Sequence, residues 1–319
     1  MFKRVLTALT LGLALTAQAQ TFPTKPVRII TPFPVGSGPE GVARLVADKL
    51  SKSWGQPVTV ENRPGGNGFI AIDAFKRGAT DGTDLIQLDN VHLTAYPHLF
   101  KKLPYNAAAD FDVLLPLFKT YFFFTTAADS KYKNVADVVA DAKANPGKLN
   151  YGSWSVGNPV HLGSALFETV TGTEMQHVIY KETTQLYTGV STGELAFAMG
   201  TSATAGPLYR AGKIKFLAIA APKRLPAYKD VPTVAEAGLT GFGATSWGAL
   251  LAPAGTPKAV IDRLHLEAVA ILNSPDVKER LAKLGLDVVA SSPAAFTQML
   301  QTDVPKWGKA VKDSGATIQ

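Results

Sequence analysis

Short apolar runs alternate along this chain with stretches whose apolar positions recur every three to four residues. Residues 27–30 form the first run and read as a strand. Val42, Leu45, Val46 and Leu50 then share one face of a helix. Runs at 58–60, 85–88, 149–152, 178–180, 193–199 and 214–220 repeat the strand signal, and helical patterns fall at 70–76, 135–144 and 159–170. Strands alternating with helices predict an α/β chain with parallel sheets built from βαβ units. In such sheets ligands collect at the carboxyl ends of the strands.

The pattern also divides the chain. Residues 114–126 hold Phe118, Tyr121, Phe122, Phe123 and Phe124 and read as a buried strand rather than an aromatic cage. The first crossing into a second lobe is placed there. Residues 231–238 read as a short helical link, and 245–252 as the strand returning to the first lobe. Helices are expected at 257–273 and 275–284, with a last one at 292–312 interrupted by Pro305. The expected division is a leader at 1–19, a first lobe of 20–123 and 245–319, and a second lobe of 124–244.

Two strand-to-helix junctions carry candidate chemistry. The first is Pro32-Phe33-Pro34-Val35-Gly36-Ser37-Gly38-Pro39-Glu40-Gly41. Gly38 is expected to cap the helix, and Pro39 suits its first turn because its missing N–H would have no partner there. Free amides and the positive end of the helix dipole make such a turn an anion site. The same pattern also serves βα turns that hold nothing. Its spacing is neither GxGxxG nor the P-loop, and no Lys follows to neutralise a nucleotide phosphate.

The second junction, Gly152-Ser153-Trp154-Ser155-Val156-Gly157-Asn158-Pro159, repeats the theme, with Asn158 as cap and Pro159 opening the helix. His161 sits in that helix's first turn. Two such junctions facing across a cleft suit a small molecule with a carboxylate at each end, each charged hydrogen bond contributing about 1.5–3 kcal/mol. Asn90, following the 85–88 strand, falls on the same edge. Lys181 has two candidate partners, the ligand and neighbouring Glu182. Thr201 and Ser202, after the 193–199 strand, are neutral donors that do not repel an anion.

Composition narrows the class. Lys3 and Arg4, an apolar run at 5–15 and Ala17-Gln18-Ala19 make a secretory leader cleaved after Ala19. The chain has no cysteine, which excludes disulfides, thiol nucleophiles and thiolate metal sites and suits a periplasm. The net charge of +7 falls to +5 once Lys3 and Arg4 leave, and the remaining basic residues form no dense patch, so no nucleic-acid partner is expected. His92, His98, His161, His177 and His265 show no metal-ligand spacing. Ser153 and Ser155 do not sit in G-x-S-x-G, and no base is placed by spacing. An enzyme is the weaker class.

Ordered blocks along nearly the whole chain carry a resemblance: PVRII (26–30), PFP (32–34), VAR (42–44), WGQPV (54–58), VENRPG (60–65), DG (81–82), HL (161–162), AGK (211–213), DVPTVAEAG (230–238) and LAPAGTP (251–257). With these the chain resembles the periplasmic substrate-binding receptors of tripartite tricarboxylate transporters, the Bug receptors. The resemblance implies a bilobal periplasmic-binding-protein (type II, Venus-flytrap) fold with two crossover segments, without catalysis or cofactor. It implies a monomer that closes on a small carboxylate and delivers it to membrane permease subunits.

In that family the loops here spanning 32–40 and 153–158 hold the carboxylates, often through waters. The residues so implied are Phe33, Val35, Gly36, Ser37, Gly38, Pro39, Asn90, Ser153, Trp154, Ser155, Asn158, His161, Lys181, Thr201 and Ser202. The chain departs from the family at Ser37 and Glu40, where many members have Gly-Gly and Asp, and at Thr201 and Ser202, where many have Asp. These changes favour direct hydroxyl contacts to the ligand. GSWSVGN (152–158) and KETTQ (181–185) look like the terephthalate-binding members, with Phe33 and Val35 flanking a flat ring. Citrate and other aliphatic carboxylates are the alternative ligands. An exported enzyme on the same fold and a sensor feeding a signalling partner are the rival roles.

Overall fold

A computed structural model describes residues 22–240, 242–313 and 315. The expected leader at 1–19 lies outside the described residues. The first sheet holds β1 (Val27–Thr31), β2 (Val58–Asn62), β3 (Asp84–Asp89), β4 (Phe111–Tyr121), β10 (Thr245–Pro253) and β11 (Leu286–Val288), in the order β11-β4-β10-β3-β1-β2. β1 lies parallel to β2 and β3, while β10 is antiparallel to both β3 and β4. The second sheet holds β5 (Phe123–Ala127), β6 (Asn150–Ser153), β7 (Gln176–Ile179), β8 (Phe197–Gly200) and β9 (Ile214–Ile219), in the order β7-β6-β8-β5-β9. The two sheets make a two-lobed α/β fold.

Helices fill the crossovers. α1 (Gly38–Trp54) follows β1, α2 (Phe69–Lys76) follows β2, and α3 (Asn90–Thr94) and α4 (Tyr96–Leu99) follow β3. In the second sheet α5 (Val135–Ala144) precedes β6, α6 (Pro159–Thr171) follows it, α7 (Thr183–Ser191) follows β7, and α8 (Gly206–Arg210) follows β8. The chain ends with α9 (Lys258–Asn273), α10 (Pro275–Lys283) and α11 (Pro293–Asp313).

The aromatic stretch is not one strand. Tyr121 still pairs with Thr245 in the first sheet, whereas Phe123 pairs with Gly200 and Ile219 in the second, so the chain changes lobe at Phe122. Each ring finds a core on its own side: Phe118 packs with Leu250 and Leu264, Phe124 with Phe167 and Phe197. Two helical expectations need correction. Residues 231–238 form turns and not a helix. Thr233 makes a bridge to Ile219, and Thr233 and Glu236 cap each other through their side chains, which closes a single turn. α11 runs through Pro305 without a break. Pro305 lies on an exposed face, as does Gln301, whose carbonyl loses its usual partner there and can meet water.

The lobes are joined by more than their crossing strands. Leu162 of α6 is fully buried in a cluster with Val91, Tyr96, Leu99, Trp307 and Ala310, all from the first lobe. Removing a buried leucine side chain costs about 2–5 kcal/mol. Leu162→Ala is therefore expected to lower the urea midpoint of the whole chain in a single transition. Two separate transitions, with the first lobe's midpoint unchanged, would show that this cluster does not couple the lobes.

Candidate functional site

Ser37, and not Gly38, caps α1. Its backbone is extended and its Oγ accepts the Glu40 N–H at 3.4 Å, leaving Gly38 and Pro39 as the first helical residues. A side-chain oxygen can satisfy an orphan donor where glycine cannot. Gly36 precedes the cap at φ +82°, a conformation open to glycine. Its N–H donates to Glu40 Oε2 at 3.2 Å, while Glu40 Oε1 accepts the Arg44 guanidinium at 2.9 Å. The buried carboxylate is thus spent inside the loop and balanced by arginine.

Strand residues hold the loop from below. Thr31 Oγ1 donates to Gln87 Oε1 at 2.9 Å, and Gln87 Nε2 donates to the Pro39 carbonyl at 2.8 Å. Asn62 Nδ2 donates to the Phe33 carbonyl at 2.9 Å. The Ser37 N–H is taken by Pro34 O. Among the described residues this leaves the amides of Val35 and Gly38 without a protein partner, so the anion site is narrower than a whole helix turn. Val35 is 73 % exposed, and Phe33 and Pro39 are half-buried.

The second junction repeats the design. Asn158 caps α6, its Oδ1 accepting the N–H groups of Val160 and His161 at 2.8 and 3.1 Å. Gly157 stands at φ +85°, and its N–H donates to His161 Nδ1 at 3.1 Å. Gly36-Ser37-Glu40 and Gly157-Asn158-His161 are therefore the same device, a glycine amide held by the side chain four residues ahead. A Cβ on Gly157 would run into Leu99 of the first lobe. His161 accordingly turns its Nδ1 into its own loop. Its ring lies 4.2 Å from that of His177, which stacks on Tyr151 at 5.2 Å. Burial, with His177 beside it, lowers the His161 pKa to about 3, and burial lowers that of His177 to about 4.

The remaining residues are spread over both lobes. Asn90 begins α3, is fully buried, and accepts the Ser246 hydroxyl on Oδ1 at 2.7 Å; among the described residues its Nδ2 has no partner. Ser202 is buried against Gly285, at the turn between α10 and β11, and among the described residues its hydroxyl has no partner. Gly285 stands at φ +70°, and a Cβ there would strike Ser202 Oγ. Ala203 lies against Gly38 across the lobes. Thr201 exchanges hydrogen bonds with Thr204, its N–H donating to Thr204 Oγ1 at 3.0 Å and its Oγ1 accepting the Thr204 N–H at 3.2 Å. Trp154 is half-buried and packs on the second lobe's apolar core, while Ser155 is half-buried at the loop's tip. Lys181 is exposed, and among the described residues no ion pair joins it to Glu182.

Ser153 and His177 need weighing as chemistry. Ser153 Oγ lies 2.7 Å from His177 Nε2, the separation of a nucleophile and its base. The hydroxyl is fully buried, however, and also meets Asn158 Nδ2 at 2.9 Å and the Ser155 carbonyl at 3.0 Å. With three partners it offers nothing to a substrate. Among the described residues no three metal-binding side chains gather. Sequence patterning did not place Glu40, Gln87 and His177 as loop supports. A glycine four residues before a first-turn acceptor was the visible signal for Glu40.

Residues 42–316 match the pattern of the tripartite tricarboxylate transporter family receptor. Protein BugT of Bordetella pertussis is 29 % identical, over 97 % of this chain and 95 % of its own length. The chain is similar to a solved R. palustris protein with adipate, at a TM-score of 0.85 and 28 % identity, covering 93 % of this chain and 100 % of that one. It is also similar to MatC from Rhodopseudomonas palustris with bound malate, at a TM-score of 0.80 and 28 % identity, covering 91 % and 100 %. With these likenesses the two lobes are those of a periplasmic binding-protein fold.

The paired histidines fix a pH dependence. In the unfolded chain each would protonate near 6.5, whereas the fold holds them neutral to about 3 and about 4. Their contribution to stability is complete above the unfolded value and is lost as pH falls from there toward the folded values. Thermal melts over that range should show a falling Tm. His161→Gln, which keeps an acceptor for Gly157, should fall less steeply. Parallel slopes for the two proteins would remove His161 from the account.

Proposed function

The chain belongs to the tripartite tricarboxylate transporter receptor family, and on that premise we propose that it captures a small dicarboxylate between its lobes. In this reading the protein is exported, loses its leader after Ala19, and works in the periplasm as a monomer that delivers its ligand to membrane permease subunits. The lobes are taken as expected, 20–123 with 245–319 and 124–244, except that Phe123 goes with the second lobe, where it pairs with Gly200 and Ile219. It binds and does not turn its ligand over.

Asn90 carries the reading. Its Nδ2 is a buried donor without a protein partner, at the end of β3 beside the first loop. A buried polar group in that state calls for an acceptor from outside the chain. The Val35 and Gly38 amides add neutral donors for a carboxylate. From the second lobe, Trp154 and Ser155 are assigned to the other end of the ligand.

The finer reading is terephthalate, whose two carboxylates are joined through four ring carbons in sequence. Phe33 and Val35 would flank the ring. Adipate is the second reading, because a similar solved protein holds adipate and its carboxylates are likewise joined by four carbons. Malate and citrate are shorter between their acids and are expected to bind less well.

Calorimetry on the mature protein tests this with terephthalate, adipate, malate, citrate and benzoate. Saturable one-site binding of terephthalate, with weaker benzoate, is the expected result. Binding of adipate alone would discard the ring and keep the receptor. Heat from none of the acids would overturn the reading. Asn90→Ala is expected to weaken the bound diacid roughly ten- to hundredfold, the loss of one hydrogen bond to a charged group.

A further inference from the structure

We propose that His177, which faces the second lobe's interior, is the positioning residue of the second ligand loop, acting through the Ser153 hydroxyl. The proposal rests on the carboxylate-receptor reading for its ligand consequence and on geometry alone for its effect on the loop.

Counting hydrogens carries the argument. A serine hydroxyl has one hydrogen to give and room to accept two. Ser153 Oγ has three near partners: Asn158 Nδ2 at 2.9 Å, the Ser155 carbonyl at 3.0 Å and His177 Nε2 at 2.7 Å. Asn158 Nδ2 is a donor only and the carbonyl an acceptor only. If the hydroxyl gave its hydrogen to His177, the Ser155 carbonyl would face a bare oxygen. If His177 Nε2 carries the hydrogen, Ser153 accepts two bonds, donates the third and is satisfied on all sides. His177 is therefore the donor in this contact, the opposite of a general base.

The consequence runs along the loop. Ser153 ends β6, Ser155 sits at the tip, and Asn158 caps α6, so one hydroxyl ties the loop's beginning, middle and end. Asn158 Nδ2 also donates to the Ser155 carbonyl. Remove the His177 donor and the hydroxyl loses one of the two bonds it accepts, which loosens its hold on Ser155 and the amides around it. His177 stands on β7, a strand whose side chains are half-buried or exposed, yet it turns in to stack on Tyr151 and lie tilted beside His161. Burial of the ring favours its neutral form. The groups facing this stack are the Tyr151 hydroxyl from β6, His161 from α6 and, beyond Tyr151, Glu168 of α6. None competes for Nε2.

The test compares His177→Leu, His177→Gln and Ser153→Ala in the full mature chain. Amide hydrogen exchange across 154–158 is read without ligand, and affinity is read with terephthalate and adipate. His177→Leu should speed exchange in that segment and weaken the bound diacid, each by about five- to tenfold, the worth of one neutral hydrogen bond. His177→Gln, which can still donate, should restore both. In the Ser153→Ala background, His177→Leu should add nothing. Should His177→Leu not fold, faster exchange in Ser153→Ala, unrelieved by His177→Gln, stands in its place. Unchanged exchange in His177→Leu, or additive effects with Ser153→Ala, would overturn the proposal. Faster exchange in His177→Leu, together with a wild-type protein that binds neither diacid, would instead sink the diacid reading and leave the loop assignment standing.

Discussion

A glycine amide held by the side chain four residues ahead is the constraint on which the rest of the site depends. Gly36 with Glu40 and Gly157 with His161 each turn a strand sharply into a helix. Each glycine takes a positive φ that a side chain would resist. Each cap, Ser37 or Asn158, then consumes first-turn donors of its helix. What remains for a ligand is a small set of neutral amides and the orphan Nδ2 of Asn90. The loops are built by removing donors from the general helix N-terminus until few are left.

The two versions differ in charge. Glu40 is anionic and needs Arg44 to balance it, whereas His161 is kept neutral by burial. Neither brings a net charge to the loop it holds. On the proposed reading, a carboxylate entering between the lobes meets oriented dipoles, and the chain's scattered positive charge acts at longer range. Fixed dipoles also recognise shape, because an amide rewards an oxygen placed along its N–H and gives little to one beside it.

Much of this was legible in the residues. The βα alternation, the Asn158 cap and the placing of the lobe crossing among the aromatics follow from periodicity and cap chemistry. Where the fold departs from these patterns the cause is the same, a partner that local sequence does not encode. Gly38 can cap a helix, but Ser37 reaches the Glu40 amide with a side-chain oxygen. Pro305 does not interrupt α11, and its exposed face lets water meet the Gln301 carbonyl that it leaves without a helical partner. Residues 231–238 have a helical composition, and their pairing with β9 takes the backbone elsewhere. His177 was invisible as a support because its partner, Ser153, lies on the neighbouring strand, and no spacing along one chain segment encodes contact between strands.

Gly285 of the first lobe meets Ser202 of the second. With no side chain at 285, the second lobe settles directly on the backbone of the first. That contact works as a doorstop of zero height. The width left between the lobes, and hence the bulk of what they can enclose, is gauged by an atom that is absent. Selection for a larger or smaller cargo would then have a site to act on at position 285, outside both ligand loops.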